Sequence, residues 1–126
     1  MVNPGLDWEH HNLANDFYRL GDFKKAVEHY SKAIEIKPDL SEAYFNRGLA
    51  YARLQNFERA ISDHTRVIEL QPELAEAYYT RGLLHEYLRN YEAAVKDYES
   101  AVRINPDYDE AQEQYRIILL KKSGND

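Results

Sequence analysis

Cysteine is missing from all 126 residues, which excludes disulfides, thiolate metal ligands and cysteine nucleophiles. A small domain without bridges fits a reducing compartment, so a cytoplasmic location is expected. Glycine and proline are scarce, at five and four. No glycine-rich loop of the phosphate-cradling kind occurs, and no stretch reads as low-complexity linker. No apolar run approaches the ~20 residues that cross a bilayer, and mean hydropathy is -0.74. Met1 to Leu6 lack the basic and apolar stretches of a secretory signal. The chain is therefore expected to be soluble, with no membrane partner. Positive charge is also thin, 16 Lys and Arg against 22 Asp and Glu, and no basic block is longer than Lys121 and Lys122. Phosphate binding draws on clustered cations, so no nucleic-acid partner is expected. What is present is enough apolar sequence for one domain, 44% of the chain, with tyrosine heavily over-used at 11 residues.

The tyrosines, alanines and prolines recur. Pro38, Pro72 and Pro106 stand 34 residues apart, each followed by an acidic residue, and a fixed period of this size identifies a repeat. From Asp7, Ser41 and Ala75 three copies align without gaps. Ala26, Ala60 and Ala94 coincide, as do Phe23, Phe57 and Tyr91, and Asp22, Asn56 and Asn90. Within each copy apolar residues recur twice at helical spacing, as at Tyr44, Tyr51 and Leu54 and then Ile61, Ile68 and Leu70. Each repeat is thus a helical hairpin. Asp22, Asn56 and Asn90 are suited to N-cap the second helix, and the periodic proline follows it. Helices are predicted at 7–20, 23–36, 41–54, 57–70, 75–88, 91–104 and 109–122. The organisation is one domain over 1–126: repeats at 7–40, 41–74 and 75–108, a capping helix at 109–122, and tails at 1–6 and 123–126. Short connections force antiparallel neighbours, so the expected fold is an all-α, right-handed solenoid of three hairpins plus one terminal helix, its first helices lining a concave face.

The chain resembles the tetratricopeptide repeat family over residues 7 to 108. The second copy carries Tyr44, Arg47, Gly48, Tyr51, Ala60, His64 and Pro72, and the third Tyr78, Arg81, Gly82, His85, Ala94, Tyr98 and Pro106. The first is more degenerate, with His10, Leu13, Ala14, Phe17, Ala26, Tyr30 and Pro38. The resemblance implies a non-catalytic protein-interaction module holding a peptide or helix of another protein in its groove.

Several residues have structural readings. Ala14, Gly48 and Gly82 mark a close approach of the two helices of a hairpin. Most repeat tyrosines are expected to bury the ring and leave the hydroxyl at the surface. His64 and His85 stand at aromatic positions, and adjacent His10 and His11 diverge on a helix, so no metal and no cofactor are expected. Nor is there a nucleophile motif, and no catalytic residue is assigned. Arg47 and Arg81 are each followed sixteen residues later by Asp63 and Asp97, whereas the first copy has Leu13 and His29. An ion pair linking the two helices is expected in the second and third hairpins, partly exposed and of small energy.

The groove is expected on the first helices, facing away from the hairpin interior. Its candidate residues are Trp8, His11, Asn12 and Asn15; Phe45, Asn46, Leu49 and Arg53; and Tyr79, Thr80, Leu83 and Tyr87. Apolar anchors beside amides describe peptide recognition. The family's carboxylate clamp, which holds the acidic tail of a heat-shock chaperone, is matched only by Asn15 and Asn46. His11 and Glu76 stand at its lysine positions and Thr80 at its arginine, which leaves a degraded clamp as an alternative. A second alternative is self-assembly: the seventh helix carries more apolar residues than an end cap needs, and Ile117 and Leu120 are candidates for a homodimer contact.

Overall fold

The computed structural model describes residues 5–124, and among them are seven α-helices and no strand. They run α1 Leu6–Arg19, α2 Phe23–Ile36, α3 Ser41–Arg53, α4 Phe57–Leu70, α5 Ala75–Tyr87, α6 Tyr91–Ile104 and α7 Asp109–Gly124. None is long and apolar enough to cross a membrane. Two compact units result, Met1–Leu70 with α1 to α4 and Gln71–Asp126 with α5 to α7.

Turns of fixed chemistry set the hairpins. After α1, Asp22 N–H reaches Phe17 O at 2.9 Å and Gly21 N–H reaches Tyr18 O at 3.0 Å, the paired closure of a Schellman turn. The same bonds recur from Asn56 to Tyr51 and from Asn90 to His85, at 2.9 and 2.8 Å. Gly21 supplies the left-handed residue at φ 82°; its counterparts Gln55 and Arg89 adopt φ 62° and 63° without glycine's freedom. Asp22 also caps α2, accepting from Lys25 N–H at 3.2 Å, and Asn56 accepts from Arg59 N–H at 3.4 Å. Asn90 departs from the expectation, since its side chain makes no cap bond to α6. The proline turns are tied from the following helix: Tyr44 and Tyr78 hydroxyls donate to the Pro38 and Pro72 carbonyls at 2.9 and 3.0 Å. Gln112 does the same to Pro106 at 2.7 Å.

In the first unit Ala14, Ala26, Tyr30 and Ala50 form one buried cluster and Ala33, Leu40 and Ala43 another. In the second, Ala75, Ala101 and Ala111 join α5, α6 and α7, while Ala94 and Tyr98 meet Ile118 of α7. The small residues let backbones approach. A Cβ on Gly48 would lie 2.8 Å from His64 Nε2, and one on Gly82 would lie 2.7 Å from Tyr98 Cε1. Tyr30 and Tyr98 correct the general expectation for tyrosine, because both are fully buried and their hydroxyls donate inside the protein to Asn15 and Glu86.

The expected ion pairs are present and two-pronged. Arg47 Nε and Nη2 donate to Asp63 at 2.9 and 2.7 Å, and Arg81 donates to Asp97 at 2.8 and 2.7 Å. They are more deeply set than a partly exposed pair, each carboxylate side chain being only 6% accessible. Burial penalises both charges of the first pair. It pushes the Asp63 carboxyl up and acts against Arg47, which the bonds to Asp63 nonetheless hold above its ordinary value. Arg47 Nη1 also donates to Ser31 of α2 at 3.0 Å, fastening two hairpins of the first unit. In the first hairpin, Leu13 is 40% exposed and His29 instead meets His10, Nδ1 to Nδ1, at 3.2 Å.

Candidate partner-binding face

In the first unit, α1 and α3 bring Asn15, Tyr18, Arg19, Asn46 and Leu49 around one pocket, with Tyr30 of α2 in its wall and a cavity of about 140 Å³. Trp8, 40% exposed, stands edge-on to His11 at 5.1 Å, and Asn12 is exposed. His11 itself is buried, 5% accessible, and Asn46 Nδ2 meets its Nε2 at 3.2 Å. Burial lowers the His11 pKa, against the pull of Glu42, so the ring is neutral at pH 7. It therefore acts as a buttress for Asn46 rather than as an exposed groove cation. Asn15 Oδ1 accepts the Tyr30 hydroxyl proton, and burial pushes that hydroxyl up to about 12. These bonds fix both amides. They leave the Asn15 amide nitrogen as a donor and the Asn46 carbonyl as an acceptor. Phe45, half-buried, packs edge-on against His64 at 4.9 Å, and the exposed Arg53 lays its guanidinium 4.7 Å from the Phe23 ring.

In the second unit the same register positions are more aromatic. Tyr79 is half-buried, 5.1 Å from Tyr108 and 6.0 Å from Tyr98. Thr80 is half-buried, Leu83 is 37% exposed and Tyr87 65% exposed. Glu86 is engaged, accepting from the Tyr98 hydroxyl at 2.7 Å and from Lys121 Nζ at 2.9 Å. Helix α7 packs through Ala111 and Ile118, and Tyr115 donates to Glu99 at 3.2 Å. Leu120 is 64% exposed and Ile117 half-buried. Counting 34 back from Ile117 and Leu120 gives Leu83 and Glu86, and the Lys121–Glu86 bridge joins α7 to α5 on that side. The period thus places Ile117 in register with Leu83, one of the candidate residues of α5. Tyr30, read as a core tyrosine, is buried and also forms part of the pocket wall.

The tetratricopeptide repeat model matches residues 41–74 and 75–108, and a related repeat model matches 14–55. The chain belongs to the tetratricopeptide repeat family. Among solved structures it is similar to the first repeat domain of Spaghetti (RPAP3) bound to the HSP90 peptide SRMEEVD, at TM-score 0.90 and 28% identity over 97% of both chains. It is also similar to the second repeat domain of human RPAP3 in complex with the HSP70 peptide SGPTIEEVD, at TM-score 0.85 and 25% identity, covering 92% of this chain and 98% of that one. A curated relative, stress-induced-phosphoprotein 1 of Caenorhabditis elegans, is 35% identical over 46 residues; that match takes in 36% of this chain and 14% of the relative.

Proposed function

We propose that the chain is a non-catalytic interaction module that holds an internal segment of a partner protein against the first helices of its repeats. The observation that carries this reading is the amide pair of the first unit. Asn15 offers a donor and Asn46 an acceptor, the complement of a peptide group, which presents one C=O and one N–H. A chain-terminal carboxylate accepts only, and is held by donors and cations. Beside the amides, Leu49 supports the first unit's apolar contact, and Leu83 and Tyr87 are accessible on the second. The binding set is Trp8, Asn12, Asn15, Phe45, Asn46, Leu49, Arg53, Tyr79, Thr80, Leu83 and Tyr87. His11 supports it from behind. Random-peptide display on the whole chain tests this. Enriched segments should bind equally well with free or amidated C-termini, and Leu49→Glu with Leu83→Glu should cost at least ~2 kcal/mol of affinity at unchanged helicity. Retained binding in that variant would defeat the proposal.

A chaperone-tail function is favoured by two facts: both similar structures hold peptides ending in Glu-Glu-Val-Asp, and Asn15 and Asn46 are in place. Against it stand the neutral His11, Glu76 and Thr80 where cations would sit. The peptide SRMEEVD as acid and as amide separates the readings. A tenfold or greater preference for the acid would replace the internal-segment proposal with a tail-binding one. A homodimer through Leu120 and Ile117 would appear as a mass that halves with Ile117→Lys and Leu120→Lys in light scattering.

A further inference from the structure

We infer that His10 and His29 form a binding site for a divalent transition-metal ion of the zinc, nickel or copper class, bridging α1 and α2. The two Nδ1 atoms face each other at 3.2 Å and the rings lie within 20° of parallel, centroids 5.4 Å apart. Imidazole nitrogens bind such ions at ~2.0–2.1 Å, and two nitrogens 3.2 Å apart at that distance subtend about 100° at the metal. That angle lies between the right angle of tetragonal ions and the tetrahedral angle of zinc, and because the two Nδ1 atoms point almost head-on at each other, both rings turn toward an ion seated beside the line between them. Without metal, two facing Nδ1 atoms share a single proton in one N–H···N bond. A metal ion takes that proton's place and gains both lone pairs.

The surroundings hold the pair in position and leave it reachable. Phe17 stacks on His29 at 5.4 Å, 17° from parallel, and supports that ring from one side. Both histidines are half-buried, so water can complete the coordination sphere. The charged groups acting on His29 are Glu28, which favours a cation, and Lys25 and Lys32, which oppose one. The ion therefore rests on nitrogen coordination rather than on net charge, which selects imidazole-loving metals over calcium or magnesium. The remaining histidines do not compete. His11 and His64 are buried, and His85 lies 3.9 Å from Asp97 beside a guanidinium. Position 29 is the register equivalent of Asp63 and Asp97, so the metal would give the first hairpin the cross-helix clip that the others make with arginine.

Calorimetric titration of the untagged full chain with Zn²⁺, Ni²⁺ and Cu²⁺ tests this at about pH 7.5 and again near pH 5, where unperturbed imidazoles are charged. One ion per chain should bind at the higher pH and be lost at the lower, since both imidazoles must be neutral. His10→Gln and His29→Gln should each weaken it by at least about tenfold, the upper range being that of changes made even outside the ligand shell. His85→Gln should leave it unchanged. Circular dichroism verifies that each variant folds, and the His10 and His29 ring resonances should shift or broaden first. Binding that survives both substitutions or persists at low pH, or no binding of any of the three ions, would overturn the site.

Discussion

The hairpins α1–α2 and α3–α4 of the first unit align residue for residue at 34, yet they close differently. The second has Gly48 at the helix crossing and a buried Arg47–Asp63 clip; the first has Ala14 at the crossing, an exposed Leu13, and the His10–His29 contact. Both retain a buried alanine, Ala26 or Ala60, where the helices touch. The hairpin is therefore specified by small residues at the crossing and by the turn, while the polar link is replaceable and sets local strength. The third hairpin repeats the second solution with Gly82, Arg81 and Asp97.

The largest test of that contrast removes the clip. Arg47→Met strands Asp63 in a buried place and should cost ~3 kcal/mol in urea unfolding, while Leu13→Met at the matching exposed position should cost less than ~0.5 kcal/mol. The double change Arg47→Met with Asp63→Leu should recover most of the loss, because no charge is then left alone. Equal costs at positions 13 and 47 would break the comparison.

Next in size are the crossings. Gly48→Ala and Gly82→Ala should each lose ~1–3 kcal/mol, since His64 and Tyr98 are fully buried and have nowhere to move. Ala14→Gly should also destabilise, by ~0.5–1 kcal/mol, through backbone freedom alone. Thermal melts of the three variants distinguish steric loss from entropic loss, because only the first two should be relieved by removing the facing ring, as with Gly82→Ala in a Tyr98→Leu background, which takes away the ring carbons that the new Cβ would meet.

Acid should act on the first hairpin. Burial lowers the pKa of His11 and, with Lys32, that of His29. An unfolded chain then takes up protons that the folded chain refuses, so stability present above the ordinary histidine range of ~6.5 is lost as pH falls below it. Denaturation at stepped pH should show a decline that is shallower in His29→Gln and His11→Gln. His85, lowered mainly by burial as well, contributes the same sign in the third hairpin, and a slope wholly unaffected by the first-hairpin variants would place the acid response there. The smallest effect belongs to Lys121→Met, which breaks the exposed lysine's bridge to Glu86 and should lower the melting temperature only slightly, the difference from wild type vanishing in high salt.

The 34-residue period made the helices legible to within two residues, and the co-occurrence of Arg with Asp sixteen positions later revealed the clips before any coordinates. Both depend on positions within one repeat, which spacing encodes. What spacing could not encode is the choice a side chain makes among neighbours brought by other helices. Asn90 looks like Asp22 and Asn56 but does not cap; Gln112 takes over a tyrosine's bond to a proline carbonyl; His10 and His29, nineteen residues apart, face each other. The candidate partner-binding face is a set of positions proposed from the repeat register. The role of His11 as a buried buttress was not legible there, because depth depends on how Trp8, Tyr30 and Asn46 pack around it.

The turns after α3 and α5 have a consequence of a different order. Gln55 and Arg89 occupy a left-handed conformation that costs a residue with a Cβ ~1–2 kcal/mol, while glycine there would lose ~0.4–1 kcal/mol through its freedom in the unfolded chain. Gln55→Gly and Arg89→Gly should therefore each raise stability modestly. Both side chains are exposed and neither belongs to the proposed partner-binding set. The fraction of molecules folded at a given temperature can thus be tuned at the turns without altering what a folded molecule recognises, so robustness and specificity can drift independently in this chain.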